Sequence, residues 1–207
     1  KTGSIILQGG VGNVTANYTK GDGDIIFQGA AGNLDLDHAK GNITTYGAVL
    51  RVDINKYSDG NIDFKGAAGY INVNHTGDSG TINVNGAAAY SRVSRRSNKN
   101  DSYNNHIYFY GAGAYTSVTQ GANGNINFSG AGAANIINHN ANGNVTFNGA
   151  GLGNVIYHGG NTGDINAVAG GWVNVLVRNG NGKFNATLAA VGNISVHKGN
   201  GDQRIFQ

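Results

Sequence analysis

The chain has 207 residues, 36 of them glycine, with no proline, cysteine or methionine, and only 12% charged side chains at a net charge of +3. Charge this weak and dispersed argues against a nucleic-acid reader, and the lack of cysteine excludes disulfide staples and thiolate metal sites. No apolar run approaches the roughly eighteen residues of a membrane-spanning helix, and no signal-peptide pattern is present.

Taken in order, the chain is one unit repeated about every nineteen residues. An opening glycine recurs at Gly3, Gly23, Gly41, Gly60, Gly80, Gly124, Gly143, Gly163 and Gly182, with Asn105 in its place once and a partial copy from Gly201. Two residues later stands an apolar column: Ile5, Ile25, Ile43, Ile62, Ile82, Ile107, Ile126, Val145, Ile165 and Phe184. Two further on come Leu7, Phe27, Thr45, Phe64, Val84, Phe109, Phe128, Phe147, Ala167 and Ala186. A period of two places both columns on one face of a strand.

A second glycine follows at Gly9, Gly29, Gly47, Gly66, Gly86, Gly111, Gly130 and Gly149, where a residue without a side chain suits a sharp corner. A second strand then carries Val14, Leu34, Val52 with Ile54, Ile71 with Val73, Val93, Val118, Ile136 with Ile137, Val155 with Ile156, Val173 with Val175 and Val177, and Ile194 with Val196. This pattern predicts a register slip of one residue in the later copies. Ala169 and Leu188 replace the corner glycine in copies nine and ten, which predicts a less regular coil there.

One such unit cannot bury its own apolar face, whereas stacked units bury it against each other. The expected fold is all-β: a β-solenoid, β-helix or β-roll-like, of about ten stacked two-strand rungs of about 19 residues in a single array. At roughly 4.8 Å per rung it makes a rod on the order of 50 Å long. Incomplete first and last copies predict a fragment of a longer array, able to self-associate through uncapped ends.

The phrases GNINFSGAGAANIINH, GNVTFNGAGLGNVIYH, GDIIFQGAAGNLDLDH and GNIDFKGAAGYINVNH resemble the glycine-rich repeats of RtxA, the multifunctional-autoprocessing RTX toxins of Vibrio and related bacteria. The resemblance covers essentially the whole chain. It implies a secreted, extracellular segment of a very large toxin whose repeat regions contact the host cell membrane and support translocation of effector domains. The calcium-binding RTX nonapeptide GGxGxDxUx does not occur in tandem; GDGD at Gly21 to Asp24 and GNGD at Gly199 to Asp202 are isolated echoes. Calcium binding of the β-roll type is therefore not carried over, and no other cofactor is expected.

Several columns are candidates for function. Fifteen residues after the opening stand His38, His75, His139, His158 and His197, with Lys56, Arg95 and Arg178 in other copies. Stacked at about 5 Å, such a column predicts either a polar strand end or a ladder that loosens in an acidified compartment. A straight row of imidazoles does not converge on a metal, so no metal site is expected. The copy from Gly80 is the longest, and its excess holds the one basic cluster, Arg92, Arg95, Arg96 and Lys99. That cluster is either a solvated loop or a contact for anionic lipid headgroups or acidic glycans. Tyr70, Tyr90 and Tyr115 share one place in three successive copies and predict a stacked row at a corner, with Trp172 close to the same corner. Asn83, Asn85, Asn125, Asn127, Asn144, Asn148, Asn166 and Asn185 fill outward and turn positions, where amides repeat at rung spacing and hydrogen-bond along the stack.

All eleven acidic residues are aspartate. Asp35 and Asp37 share one strand face, while Asp53, Asp59, Asp63 and Asp78 fall on other copies, so no catalytic residue is assigned and an enzyme is not expected. The expected partners are the host plasma membrane or cell-surface glycans, and not nucleic acid. An extracellular adhesin-type solenoid that recognises glycans is the alternative to the toxin segment.

Overall fold

The computed structural model describes residues 3–10, 12–97 and 105–207, and among them every regular element is a strand. The first rung comprises two strands, β1 (Ile5–Gln8) and β2 (Asn13–Tyr18). Each later rung is one bent strand: β3 (Ile25–His38), β4 (Ile43–Lys56), β5 (Ile62–His75), β6 (Ile82–Arg95), β7 (Ile107–Gln120), β8 (Ile126–His139), β9 (Val145–His158), β10 (Ile165–Asn179) and β11 (Phe184–Lys198). β12 (Gln203–Phe206) begins the next. Every pairing is parallel and joins successive rungs, so the molecule is a β-solenoid. The two strands expected per rung are present as two arms of one strand, because the ladder continues around the glycine corner.

Five inward columns fill the interior. The first arm supplies the isoleucine column, fully buried from Ile25 to Phe184, and the phenylalanine column, in which Phe109, Phe128 and Phe147 stack in parallel at 5.2 and 4.9 Å. A second arm such as that of β3 supplies Leu34, Leu36 and His38. Each buried aliphatic or aromatic side chain contributes about 1.5–3 kcal/mol relative to exposure, available only while the rungs above and below stay in place.

Glycine is required at the corner by what lies on either side of it. A Cβ on Gly149 would fall 2.5 Å from the Phe147 ring, and one on Gly47, at φ +151°, would drive into the Gly29 carbonyl of the preceding rung. Where the aromatic is lost the corner fills in: Ala167 and Ala186 replace phenylalanine, and Ala169 and Leu188 replace glycine as buried side chains. The coil accordingly stays regular in copies nine and ten, with Ala169 paired to Gly149 and Leu188 to Ala169, contrary to the sequence expectation.

The expected slip of the second arm does not occur either. Asn135, Ile136 and Ile137 pair in order with Thr116, Ser117 and Val118, and this register holds through β11. The turns help fix it, because a side-chain oxygen in one rung accepts the next rung's backbone N–H: Asp24 from Asn42, Asn42 from Asn61, Asn125 from Asn144 and Asn144 from Asp164, all at 2.7–2.9 Å. The consequence for the surface is large. The inner column runs Leu34, Val52, Ile71, Ser91, Thr116 and then Asn135, Asn154, Asn174, while its outer neighbour runs Asp35, Asp53, Asn72, Arg92, Ser117 and then Ile136, Val155, Val175, Ile194.

Candidate binding face

The second arm presents its outward columns on one side of the rod. Directly after the corner, Arg51, Tyr70, Tyr90 and Tyr115 occupy one column in successive rungs. The three rings stack in parallel, with centroids 5.0 and 4.9 Å apart, and the Arg51 guanidinium covers the end of the row 5.3 Å from the Tyr70 centroid. Rung spacing sets this geometry, since parallel strands about 4.8 Å apart hold identical side chains at stacking distance. Arg51 also donates to Asp53 at 2.6 Å, which fixes its position over the ring.

Beside the tyrosine row lies a polar groove of about 200 Å³ lined by Asn55, Asn72, Asn74, Arg92, Ser94 and Arg96. Arg92 lies two residues beyond Tyr90, so the row and the groove share a face. Of the predicted basic cluster, Arg92 and Arg96 are exposed at this groove, but Arg95 points inward and is fully buried, so it is not part of the surface. Lys99 lies outside the described residues.

The histidine positions form the innermost column at the end of the second arm, and the column also contains Gln120. His38, His75, His139 and His158 are fully buried there, with Lys56, Arg95 and Arg178, and His197 is half-buried in the final full rung. His75, His139, His158, Lys56 and Arg178 clasp their rungs to the flanking turns, whereas His38 reaches the Tyr18 carbonyl of the preceding rung. His75 Nε2 lies 2.7 Å from the Gly60 carbonyl oxygen and its Nδ1 accepts the Gly77 N–H at 3.0 Å. His139 binds the Gly124 carbonyl and the Ala141 N–H, and His158 the Gly143 carbonyl and the Gly160 N–H, in the same way. Because a carbonyl only accepts, Nε2 carries the proton and each ring is neutral. Arg178 donates to the Gly163 and Gly160 carbonyls, and Lys56 to those of Ala39 and Asp59.

Burial is the leading cause that pushes His75 down to about 3, with the Arg95 charge assisting. His139 and His158 fall to about 4 for the same first reason, aided by each other's proximity at 4.7 Å for His139 and by Arg178 for His158. Lys56 is pushed down to about 8 by burial, and His38 is lowered by burial as well. The column therefore contains imidazoles that stay neutral well below their ordinary range.

Asp53 sits beside Asp35 on the adjacent rung, as their equal distance of twelve residues from the opening glycine requires. Burial and then the Asp37 and Asp53 charges raise Asp35, while Asp37 accepts from Tyr57 at 3.2 Å and from Asn55 at 3.0 Å. Among the described residues no three histidine or carboxylate groups gather as a metal site. A larger cleft, about 540 Å³, lies on the other arm between Phe147, Val168, Arg204 and Phe206, away from these columns.

Two features escaped the sequence reading. One is the buried amide ladder, in which Asn135 donates to Asn154, Asn154 to Asn174 and Asn174 to Asn193 at 2.8, 2.8 and 3.0 Å. The other is the exposed apolar surface that accompanies it. Both were visible in the recurrent Asn-Ile-Ile and Asn-Val-Ile triplets once the register was held constant. Comparisons with protein-family models, with characterised proteins and with solved structures find no match.

Proposed function

We propose that this chain is a non-catalytic repeat segment of a large secreted toxin of the RTX type, a stiff extracellular rod that contacts the host membrane and supports passage of effector domains. The observation that carries the reading is the outward face on which three parallel tyrosine rings run beside Arg92 and Arg96. Tyrosine suits the headgroup zone of a bilayer, and each arginine near an anionic surface adds about 1 kcal/mol of attraction. Co-sedimentation of the folded chain with vesicles, with and without anionic lipid and cholesterol, tests it. Retention on anionic vesicles, weakened by salt and by Arg92→Ser with Arg96→Ser, is the expected result. A folded chain that stays in the supernatant under every lipid composition defeats the proposal.

The amides of Asn55, Asn72 and Asn74 at the same groove support a second reading, an adhesin-type solenoid that binds glycans. Each amide offers both a donor and an acceptor to sugar hydroxyls, beside aromatic surface. On this reading Tyr90→Ala with Tyr115→Ala abolishes glycan-array binding while circular dichroism is unchanged, and lipid composition has no effect.

A further inference from the structure

One neighbouring pair of columns in the second arm inverts its polarity along the rod, while Ile137, Ile156 and Leu176 stay inside. From β8 onward, side chains that would ordinarily fill a solenoid interior face outward, and asparagines occupy the interior in their place. The resulting surface includes Leu152, Val155, Trp172, Val173, Val191 and Ile194, and no charged residue stands among them. Leu152, Trp172 and Val191 follow one another at the corner, 60%, 68% and 90% exposed, while Val155, Val175 and Ile194 follow one another on the flat of the arm.

The asymmetry is more than a scatter of surface hydrophobics. In β10 the outward Val173, Val175 and Val177 alternate with inward Asn174, Leu176 and Arg178, so a slip of one residue would bury three valines. β10 keeps its register because Asn174 lies between Asn154 and Asn193 and Arg178 clasps Gly163. The valines are thus held outward by the ladder, Val173 exposed and Val175 and Val177 half-buried.

We propose that this face is an interface between two copies of the chain, packed sheet on sheet about a twofold axis. The six side chains expose on the order of 600 Å² per copy, beyond the few hundred Å² at which an apolar patch marks an interaction site. Paired face to face they bury roughly 1,200 Å², the lower bound of a stable specific interface. The face is self-complementary in kind: charge-free, with β-branched side chains on the flat of the arm and Leu152 and Trp172 projecting at the corner, where Gly153 and Gly192 beside Val173 leave hollows for the corner side chains of the partner. The surface continues the outward columns of the tyrosine row toward the other end of the rod, with Val173 in the tyrosine column, but it shares no residue with the row, so the inference does not rest on the function proposed above.

Sedimentation equilibrium of the 207-residue chain from low to high micromolar concentration tests it. The expected result is a monomer–dimer equilibrium, weakened at least 100-fold by Val155→Lys with Val173→Lys. Val155→Thr with Val173→Thr, which keeps β-branching at both sites, weakens it by a smaller factor with unchanged circular dichroism and guards against misfolding of the lysine variant. A monomer at every concentration overturns the proposal. So does a dimer that both variants leave intact, since the copies then join through their terminal strands. A monomer whose vesicle binding is lost in the lysine variant also overturns it, in favour of lipid as the occupant.

Discussion

The second arms of β3–β5 and of β8–β10 have the same backbone course but opposite polarity in one pair of neighbouring columns, while the next inward column stays apolar in both, through Leu36, Ile54 and Val73 and through Ile137, Ile156 and Leu176. In the first group Leu34, Val52 and Ile71 are inside and Asp35, Asp53 and Asn72 outside; in the second, Asn135, Asn154 and Asn174 are inside and Ile136, Val155 and Val175 outside. The difference teaches that hydrophobicity of the second arm does not set its own register. The unbroken isoleucine column, the side-chain to backbone ties in the turns and the clasp column set it, and the second arm follows. Slipping β8 would bury Ile136 only by exposing Ile137 and pulling His139 off the Gly124 carbonyl. An amide ladder in which every buried Nδ2 donates, and only the Asn135 Oδ1 at its first rung lacks a partner, makes the inverted arrangement tolerable, because a buried amide is costly mainly when unpaired.

The largest perturbation of this comparison attacks the scaffold that both regions share. Phe128→Ala removes the middle ring of the phenylalanine stack and should cost about 3–5 kcal/mol. Denaturation followed by far-ultraviolet circular dichroism and by fluorescence of Trp172, the single tryptophan, should give coincident transitions. If Trp172 reports a separate transition, the two regions are not governed by one ladder.

The next effect is on acid stability. His75 belongs to the early region and His139 and His158 to the later one, and all three are held neutral by burial beside Lys56, Arg95 or Arg178. Unfolded imidazoles protonate near pH 6.5, so stability from this source is complete above about pH 6.5 and declines as pH falls toward the folded values near 4. The decline is at most about 3 kcal/mol each for His139 and His158 and about 5 kcal/mol for His75, whose folded value is about 3. Urea midpoints at pH 7.5 and 5 should separate clearly, and His139→Gln with His158→Gln, copying Gln120, should narrow the gap. Equal midpoints at the two pH values would show that the column does not resist protonation.

A smaller effect distinguishes the two interiors directly. Asn154→Ala strands the amides of Asn135 and Asn174 and should cost about 1–3 kcal/mol, although it makes the interior less polar. Val52→Asn, which places one amide among Leu34, Ile71 and their neighbours, should cost at least as much. An Asn154→Ala chain as stable as the parent in urea would remove the ladder from the account of this region.

The sequence by itself determined the β-solenoid, the rung length, the glycine corner and the first-arm core, because period-two alternation repeated in tandem has one packed solution. It also located the tyrosine row, since equal positions in parallel rungs stack at strand spacing whatever else the fold does. The approach of Asp53 to Asp35 was legible in the same way, both lying twelve residues after the opening glycine, but the inward turn of Arg95 and the clasp made by the histidines were not, because each depends on which side of a strand faces the interior. Composition pointed the wrong way for the later second arms: it read Ile136 and Val173 as core and expected a slip to bury them. Only the tertiary structure decided that the asparagines go inside, because register is a property of the whole ladder, fixed by contacts with the rungs above and below rather than by the preference of any one strand.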